Sequence, residues 1–577
     1  MYNKIYSENK KYIEGVLNLK KSKFSLLLTM SLATSVFLAA CGSSDDKATD
    51  SGSSSEDAAQ ELRVLESAEI PSMDSIMAED TVSFTMLNNV NEGLYRQNQE
   101  NKVIPGVADG EPEVNEEGTE FTVKLKEGLT WSNGTALTAA DFVFAWQRAI
   151  DPANASTYGS YMMDGKIAGA QEITEAAAAG QDYDVTTLGV EAVDETTLVV
   201  TTAKPMTVDF FKGLMAFGTF LPQNEEFVKA QGDKYATSAE TVLYNGPFMM
   251  TDWAGSTDAE WVMEKNENYW DAENVSLTKI TFNVAKDPQS AVNAFEAGEV
   301  DITGKLSSDI VGQYEGDERM VTWLDASIFW LKFNQENEVL ANENIRRALA
   351  TSFNKDDLAT DVLANGSVAA NYAVPQQFVK DADGNDFRDA NGDLLTYDVE
   401  KAKEYWAKGL EELGLTEVTL SILGGDTEAA KKIDQYVQNQ WETNLEGLTV
   451  KVESVPFSIR LDRQTKQDYD IMDSGWGPDY LDPISFSDLW VTGGTNNNMS
   501  YSNAEYDALI EQAEKTTDTN EKFKLLQQAE KIVLEDDAAV APMYQRASNV
   551  LVADNVEGFT YHMVGPEYSY QFVKITE

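Results

Sequence analysis

Several short runs of this chain alternate apolar with polar residues. A two-residue period predicts half-buried strands, because successive strand side chains point to opposite faces. Glu61-Leu62-Arg63-Val64-Leu65 and Phe121-Thr122-Val123-Lys124-Leu125-Lys126 follow it. Further strands are predicted at 197–202, 279–284, 327–333, 417–422, 448–455 and 540–544. Gly128 and the run Trp131-Ser132-Asn133-Gly134 mark turns. Thr138-Ala139-Ala140-Asp141 has the spacing of a capping box, in which Asp141 reaches back to the Thr138 amide. Phe142, Ala145, Trp146 and Ala149 then recur at helical spacing until Asp151-Pro152, so Trp146 is expected in the core. Other helices are predicted at 290–297, 344–353, 399–413, 428–444, 504–515 and 520–534. Strands and helices alternate throughout, which predicts an α/β fold.

The first forty residues read differently. Lys20, Lys21 and Lys23 precede a largely apolar run from Phe24 to Phe37, too short to span a bilayer comfortably. The run ends in Leu38-Ala39-Ala40-Cys41-Gly42, which resembles the lipobox of bacterial lipoproteins. That resemblance implies cleavage before Cys41 and lipidation of its sulfur, with residues 1–40 as signal peptide and 1–19 as a long preface to it. Residues 42–60 are rich in Ser, Asp and Ala without apolar periodicity, and read as a solvated tether spanning about 25 Å. No later stretch is apolar enough over a sufficient length to cross a membrane.

Composition narrows the chemistry. The chain has 577 residues, too many for one core, so at least two lobes are expected. Asp and Glu total 97 against 44 Lys and Arg, and a surface this acidic repels nucleic-acid backbones. Cys41 is the one cysteine and His562 the one histidine, which excludes an internal disulfide and any cysteine-rich or multi-histidine metal site within the chain. No triad surrounds His562. Asp381-Ala382-Asp383-Gly384-Asn385-Asp386 invites a calcium-loop reading, but Asp386 and Gly392 stand where that loop needs Gly and Glu. Residues 381–393 are therefore expected to form a turn-rich surface loop. No cofactor motif is present, so neither a cofactor nor a metal is expected.

From about Leu62 to Phe572 a series of segments appears in a recognisable order. It includes Asn91-Glu92-Gly93-Leu94-Tyr95, Leu129-Thr130-Trp131-Ser132-Asn133-Gly134, Tyr244-Asn245-Gly246-Pro247-Phe248 and Asn266-Glu267-Asn268-Tyr269-Trp270. Phe295-Glu296-Ala297-Gly298-Glu299-Val300-Asp301, Asn344-Ile345-Arg346-Arg347-Ala348-Leu349 and Gly475-Trp476-Gly477-Pro478-Asp479-Tyr480 follow. In these segments the chain resembles the extracellular solute-binding proteins (family 5) of ABC peptide importers, most of all the oligopeptide-binding branch. The resemblance implies a three-lobed periplasmic-binding-protein-like fold, hinged around a ligand cleft. Lobe I would comprise 61–91, 215–325 and 548–577, lobe II 92–214, and lobe III 326–547.

The same resemblance implies a ligand and a site. A general peptide binder must grip main chain and the charged amino terminus, which strand edges and a carboxylate can do. Asp479 matches the carboxylate that pairs with the peptide amino group. Gly475 to Gly477 and Ala78 to Asp80 match segments that pair with ligand main chain, and Glu79 matches a cleft acid. Tyr158, Phe457 and Trp476 match ligand-facing positions. Asp473 stands where better-known relatives carry a clamping arginine, Gln464 replaces another cleft base, and Arg463 is the available substitute. The expected consequence is tighter binding of peptides of about five or more residues than of di- and tripeptides, through repulsion of a nearby carboxyl terminus.

Taken together these features predict a non-enzymatic capture subunit. It would bind extracellular oligopeptides, deliver them to ABC transporter permease subunits, and work as a monomer lipid-anchored at the outer face of the cell membrane. Three other readings stay open: capture of a peptide pheromone or signal, capture of another small solute or metal complex, and a secreted carboxylate-based hydrolase.

Overall fold

The computed structural model describes residues 59–577 except Asp479 and Thr495, and leaves the side chains of Phe457 and Ser458 undescribed. Cys41, the signal-like segment and nearly all of the tether lie outside the described residues. Three sheets organise the rest. In the first, Glu61–Glu66 pairs in parallel with Lys279–Val284, and Glu260–Lys265 and Phe248–Asp252 continue the sheet antiparallel. The second is antiparallel, in the order Glu113–Val114, Glu120–Lys124, Thr197–Thr201 and Val190–Asp194. The third has six strands: Val368–Ala369, Val540–Leu551, Met320–Phe333, Ile471–Trp476, Val418–Gly425 and Leu448–Val455.

The period-two reading holds at residue level. Leu62 and Val64 are buried between exposed Glu61 and Arg63, and Phe121 and Val123 between exposed Glu120 and Lys124. In the six-stranded sheet, Ile328 and Trp330 enter one core while Leu331 and Phe333 enter another on the opposite face. The predicted helices 399–413, 428–444 and 504–515 form with those limits. Helix Ala139–Ile150 starts as expected, with the Thr138 amide donating to Asp141 Oδ2 at 2.8 Å. Trp146 is fully buried and its indole N–H donates to the Phe220 carbonyl at 3.0 Å. Residues 381–386 form the expected turn, the Asp381 carboxylate accepting from the amides of Asp383 and Asn385, both at 2.9 Å.

Some expectations are corrected. The segment 387–391 is a short helix rather than loop, opened by an Asp386–Asp389 capping box. Helix Thr519–Lys531 ends before 534 and passes into a π-helical turn at Ile532–Asp536. The strands predicted at 327–333 and 540–544 are far longer, running Met320–Phe333 and Val540–Leu551. Their extra halves pair with each other, Met320 opposite Leu551 through Leu324 opposite Ala547. Residues 320–327 have no clean alternation, so this extension is a product of cross-strand pairing and not of local pattern.

Four elements build the site. Helix α1 is Thr81–Val90, strand β1 is Met320–Phe333, strand β2 is Ile471–Trp476 and strand β3 is Val540–Leu551. The pairing of β1 with β3 breaks between Leu324 and Ile328, where Asp325, Ala326 and Ser327 stand against Arg546. On one side of this bulge Trp323 and Val550 pack into the core shared with residues 62–302 and 550–573. On the other, the strands feed the two cores of the six-stranded sheet. The bulge thus marks the passage of two adjacent strands from one packed body to another, the kind of short crossing that can act as a hinge.

Candidate functional site

A cavity of about 230 Å³ opens beside that bulge. Its wall brings together Glu79 and Asp80 before α1, Tyr158, Asp325 to Ser327 of β1, Gly477 and Pro478 beyond β2, Arg546 of β3, and residues 561–565. Four residues expected from sequence, Glu79, Asp80, Tyr158 and Gly477, therefore meet on one surface although they come from three widely separated parts of the chain.

Local chemistry fixes two of them, Asp80 and Tyr158. Asp80 is the N-cap of α1, its carboxylate accepting from the Ser83 amide at 2.9 Å, which satisfies a donor the helix cannot satisfy itself. Glu79 beside it is exposed. Tyr158 stacks on Phe217 with ring centroids 5.6 Å apart and meets Phe84 edge-on at 5.4 Å, giving the cavity an aromatic side. The remaining expected residues stand elsewhere. Ala78 is fully buried and its amide donates to the Asp74 carbonyl at 3.0 Å. Gly475 lies within β2 opposite Phe329, and a Cβ there would come within 2.6 Å of that ring. Trp476 is half-buried and packs against the core holding Trp330. Asp479 lies outside the described residues, and of Phe457 only its place at the start of helix Phe457–Thr465 is described.

Strand β2 offers main chain as well. It pairs with β1 over its whole length, but on its other side only Ile471 and Met472 meet a strand. Among the described residues no strand covers the outer edge of Asp473 to Trp476. An extended peptide could pair there.

Asp473 itself departs from expectation. Its carboxyl is only 5% exposed and is absent from the cavity wall, lying near Asp434, which is fully buried. Burial pushes both carboxyls well above the usual range, Asp434 further through its neighbour Asp473, while Arg460 opposes both shifts. Gly424 leaves room for Asp434, whose Oδ2 occupies the place a Cβ would take. Because Asp473 is buried and off the cavity wall, a ligand in the cavity does not meet its carboxyl directly. Arg463 does not supply the clamp either, since it pairs with Glu453 at 2.7 Å and Asp468 at 3.2 Å.

Sequence reading missed the cavity's electrostatic centre. Asp325 is buried and its carboxylate accepts from Arg546 Nε at 2.7 Å, Tyr561 OH at 2.8 Å and Ser548 Oγ at 3.0 Å. Its backbone carbonyl accepts from Gln545 Nε2 at 2.9 Å. Lys305 pairs with Glu567 on the same wall. His562 is buried, with Nδ1 3.0 Å from Asn101 Oδ1 and Nε2 2.6 Å from Ser569 Oγ. Burial lowers its pKa to about 4, so the imidazole is neutral at physiological pH. No local motif announces these residues, since Asp325, Arg546 and Tyr561 come from three separate strands and meet only on folding. Among the described residues no three His, Cys, Asp or Glu side chains cluster as metal ligands, and no helix is long and apolar enough to cross a membrane.

Comparison with known proteins agrees with this geometry. Residues 102–498 match the family model described as bacterial extracellular solute-binding proteins, family 5 Middle. A dipeptide-binding protein of Lactococcus lactis subsp. cremoris is 31% identical, with 95% of this chain and 98% of that protein covered. The oligopeptide-binding protein OppA of Bacillus subtilis is also 31% identical, over the same shares. Among solved structures, Listeria monocytogenes OppA bound to peptide is 40% identical, with a TM-score of 0.68 over 90% of this chain and 100% of that one. The fold is accordingly α/β, with lobes around a ligand cleft.

Proposed function

Because this chain belongs to the bacterial extracellular solute-binding proteins of family 5, we propose that it captures oligopeptides outside the cell and passes them to the permease of an ABC importer. The observation that carries this reading is the convergence of Glu79, Asp80, Tyr158 and Gly477 on one polar cavity, near a length of β2 that no second strand covers among the described residues. The edge offers main-chain donors and acceptors that every peptide can use, whatever its side chains. Asp479, three residues beyond the end of β2, would hold the peptide amino group.

The lobes in this reading are 61–91 with 215–325 and 548–577, then 92–214, then 326–547. The break in pairing between Leu324 and Ile328 supports putting the last boundaries, 325/326 and 547/548, in or beside it. Closure about that point would bury the peptide. Lipid on Cys41 would hold the protein at the outer face of the membrane, and it would act there as a monomer without a cofactor. The chemistry proposed is binding, not catalysis.

Native mass spectrometry of protein purified without refolding tests the reading. The expected result is retained peptide cargo, displaced by added peptides. A cleft that carries no peptide and binds none from a mixed peptide library rules it out.

A further inference from the structure

The cavity wall holds an arginine, Arg546, whose guanidinium is only partly engaged by the chain and remains half exposed. We propose that Arg546, fixed from behind by Asp325, forms a subsite for a carboxylate group of the bound peptide. This rests on the reading of the cavity as a peptide site and specifies which ligands that site prefers.

The argument begins with how the guanidinium is held. Arginine presents five N–H donors in a rigid plane. In Arg546 only the inner edge is firmly used, Nε donating to Asp325 Oδ2 at 2.7 Å. Nη2 lies 3.5 Å from Ser327 Oγ, too far for a strong hydrogen bond. The guanidinium carbon sits 5.7 Å from the centre of the Phe329 ring, which supports the plane from one face. The Arg546 side chain remains 46% exposed, whereas that of Asp325 is 4% exposed. Asp325 is itself held by Tyr561 and Ser548, so the arginine is anchored at a rigid point on the bulge.

Arg346 shows the contrast with a purely structural arginine in the same protein. It is buried, and its Nε, Nη1 and Nη2 all donate to backbone carbonyls of residues 340, 341, 537 and 538. Arg546 instead leaves its outer donors at a cavity wall, the geometry that receives a carboxylate with two parallel bonds.

The other charges on the wall settle where an anion can sit. Lys305 is taken by Glu567, and Asp80 caps α1. Asp325 already accepts from three donors. Glu79 is exposed on the same wall, so its carboxylate favours a cationic ligand group near itself. The cavity therefore has one acid and one guanidinium left for a ligand. A carboxylate belongs at the Arg546 end, and it can be an acidic side chain or the peptide's own carboxyl terminus.

Calorimetry with matched peptides tests this and separates the two sources. One set of six-residue alanine-rich peptides carries Glu or Gln at each position in turn; a second has a free or an amidated carboxyl terminus. Wild-type protein is expected to favour the carboxylate member of at least one pair about tenfold or more, as a charge-assisted bidentate contact requires. The pair that discriminates identifies the source. Arg546→Gln should bring that ratio close to one, and Arg546→Lys should restore part of it; the latter also serves if the glutamine variant does not fold. Equal affinities in every pair for wild type would overturn the subsite while leaving peptide binding intact. A wild-type ratio retained by both variants would place the carboxylate elsewhere and overturn it too. If no peptide binds wild type, the reading of the cavity as a peptide site fails, and the subsite with it.

Discussion

If the cavity is the proposed peptide site, single residues decide what it recognises. Asp479→Ala is expected to weaken peptides with a free amino terminus by about 2–5 kcal/mol, largely because a desolvated ammonium is left unpaired. Acetylating the peptide should cost wild type much affinity and the variant little, and a double cycle by calorimetry reads the difference. Equal sensitivity to acetylation in both proteins would put the amino-terminal contact on another residue. His562 offers a second residue-level test. Its folded pKa of about 4 lies below the unfolded value near 6.5, so between those values the unfolded chain binds the extra proton. Its contribution is thus fully present above pH 6.5 and is lost as pH falls toward 4, at most about 3 kcal/mol. Glu66 works in the opposite sense, because burial raises its pKa to about 8 and favours the folded state only while it is protonated. Bulk stability mixes both slopes. The imidazole resonances of the chain's single histidine do not, and they should titrate near pH 4 in the folded protein.

At the scale of elements, the break between β1 and β3 joins the cores and also forms a wall of the cavity. Asp325→Asn keeps the shape but removes the charge that Arg546, Tyr561 and Ser548 all address. The expected loss is about 1–3 kcal/mol in urea unfolding, at the lower end because Arg546 is partly solvated. An unchanged unfolding midpoint would show that the bulge is held by backbone pairing alone. Helices 399–413, 428–444 and 504–515 were legible to the residue because caps and periodicity agree, as with Asp398 accepting from the Lys401 amide and Gly414 closing the first of them in the left-handed region. Residues 320–327 were not legible, since they extend only because β3 lies alongside them.

For the whole molecule, the relation between the signal-like segment and the body is the property most open to a direct test. If the proposed lipid on Cys41 supplies the attachment, Cys41→Ala should leave the fold intact and release the protein from membranes. Fractionation with labelled lipid checks it, and label still incorporated into the variant would exclude Cys41 as the anchor.

Local pattern by itself determined the α/β class, most helix limits, the buried Trp146 and the turn at 381–386. The ordered segments carried the family, and through it Glu79, Asp80, Tyr158 and Gly477 as companions. These are properties of neighbours in sequence, or of residue order, and both can be read along one dimension. The orientation of Asp473 was decided only in three dimensions, where burial beside Asp434 and Arg460 takes its charge off the cavity wall. The same holds for Asp325 and Arg546, which lie 221 residues apart and meet because two strands pair antiparallel across a bulge. A carboxylate's charge state and an arginine's remaining donors depend on what surrounds them in space, and the folded chain alone supplies those surroundings.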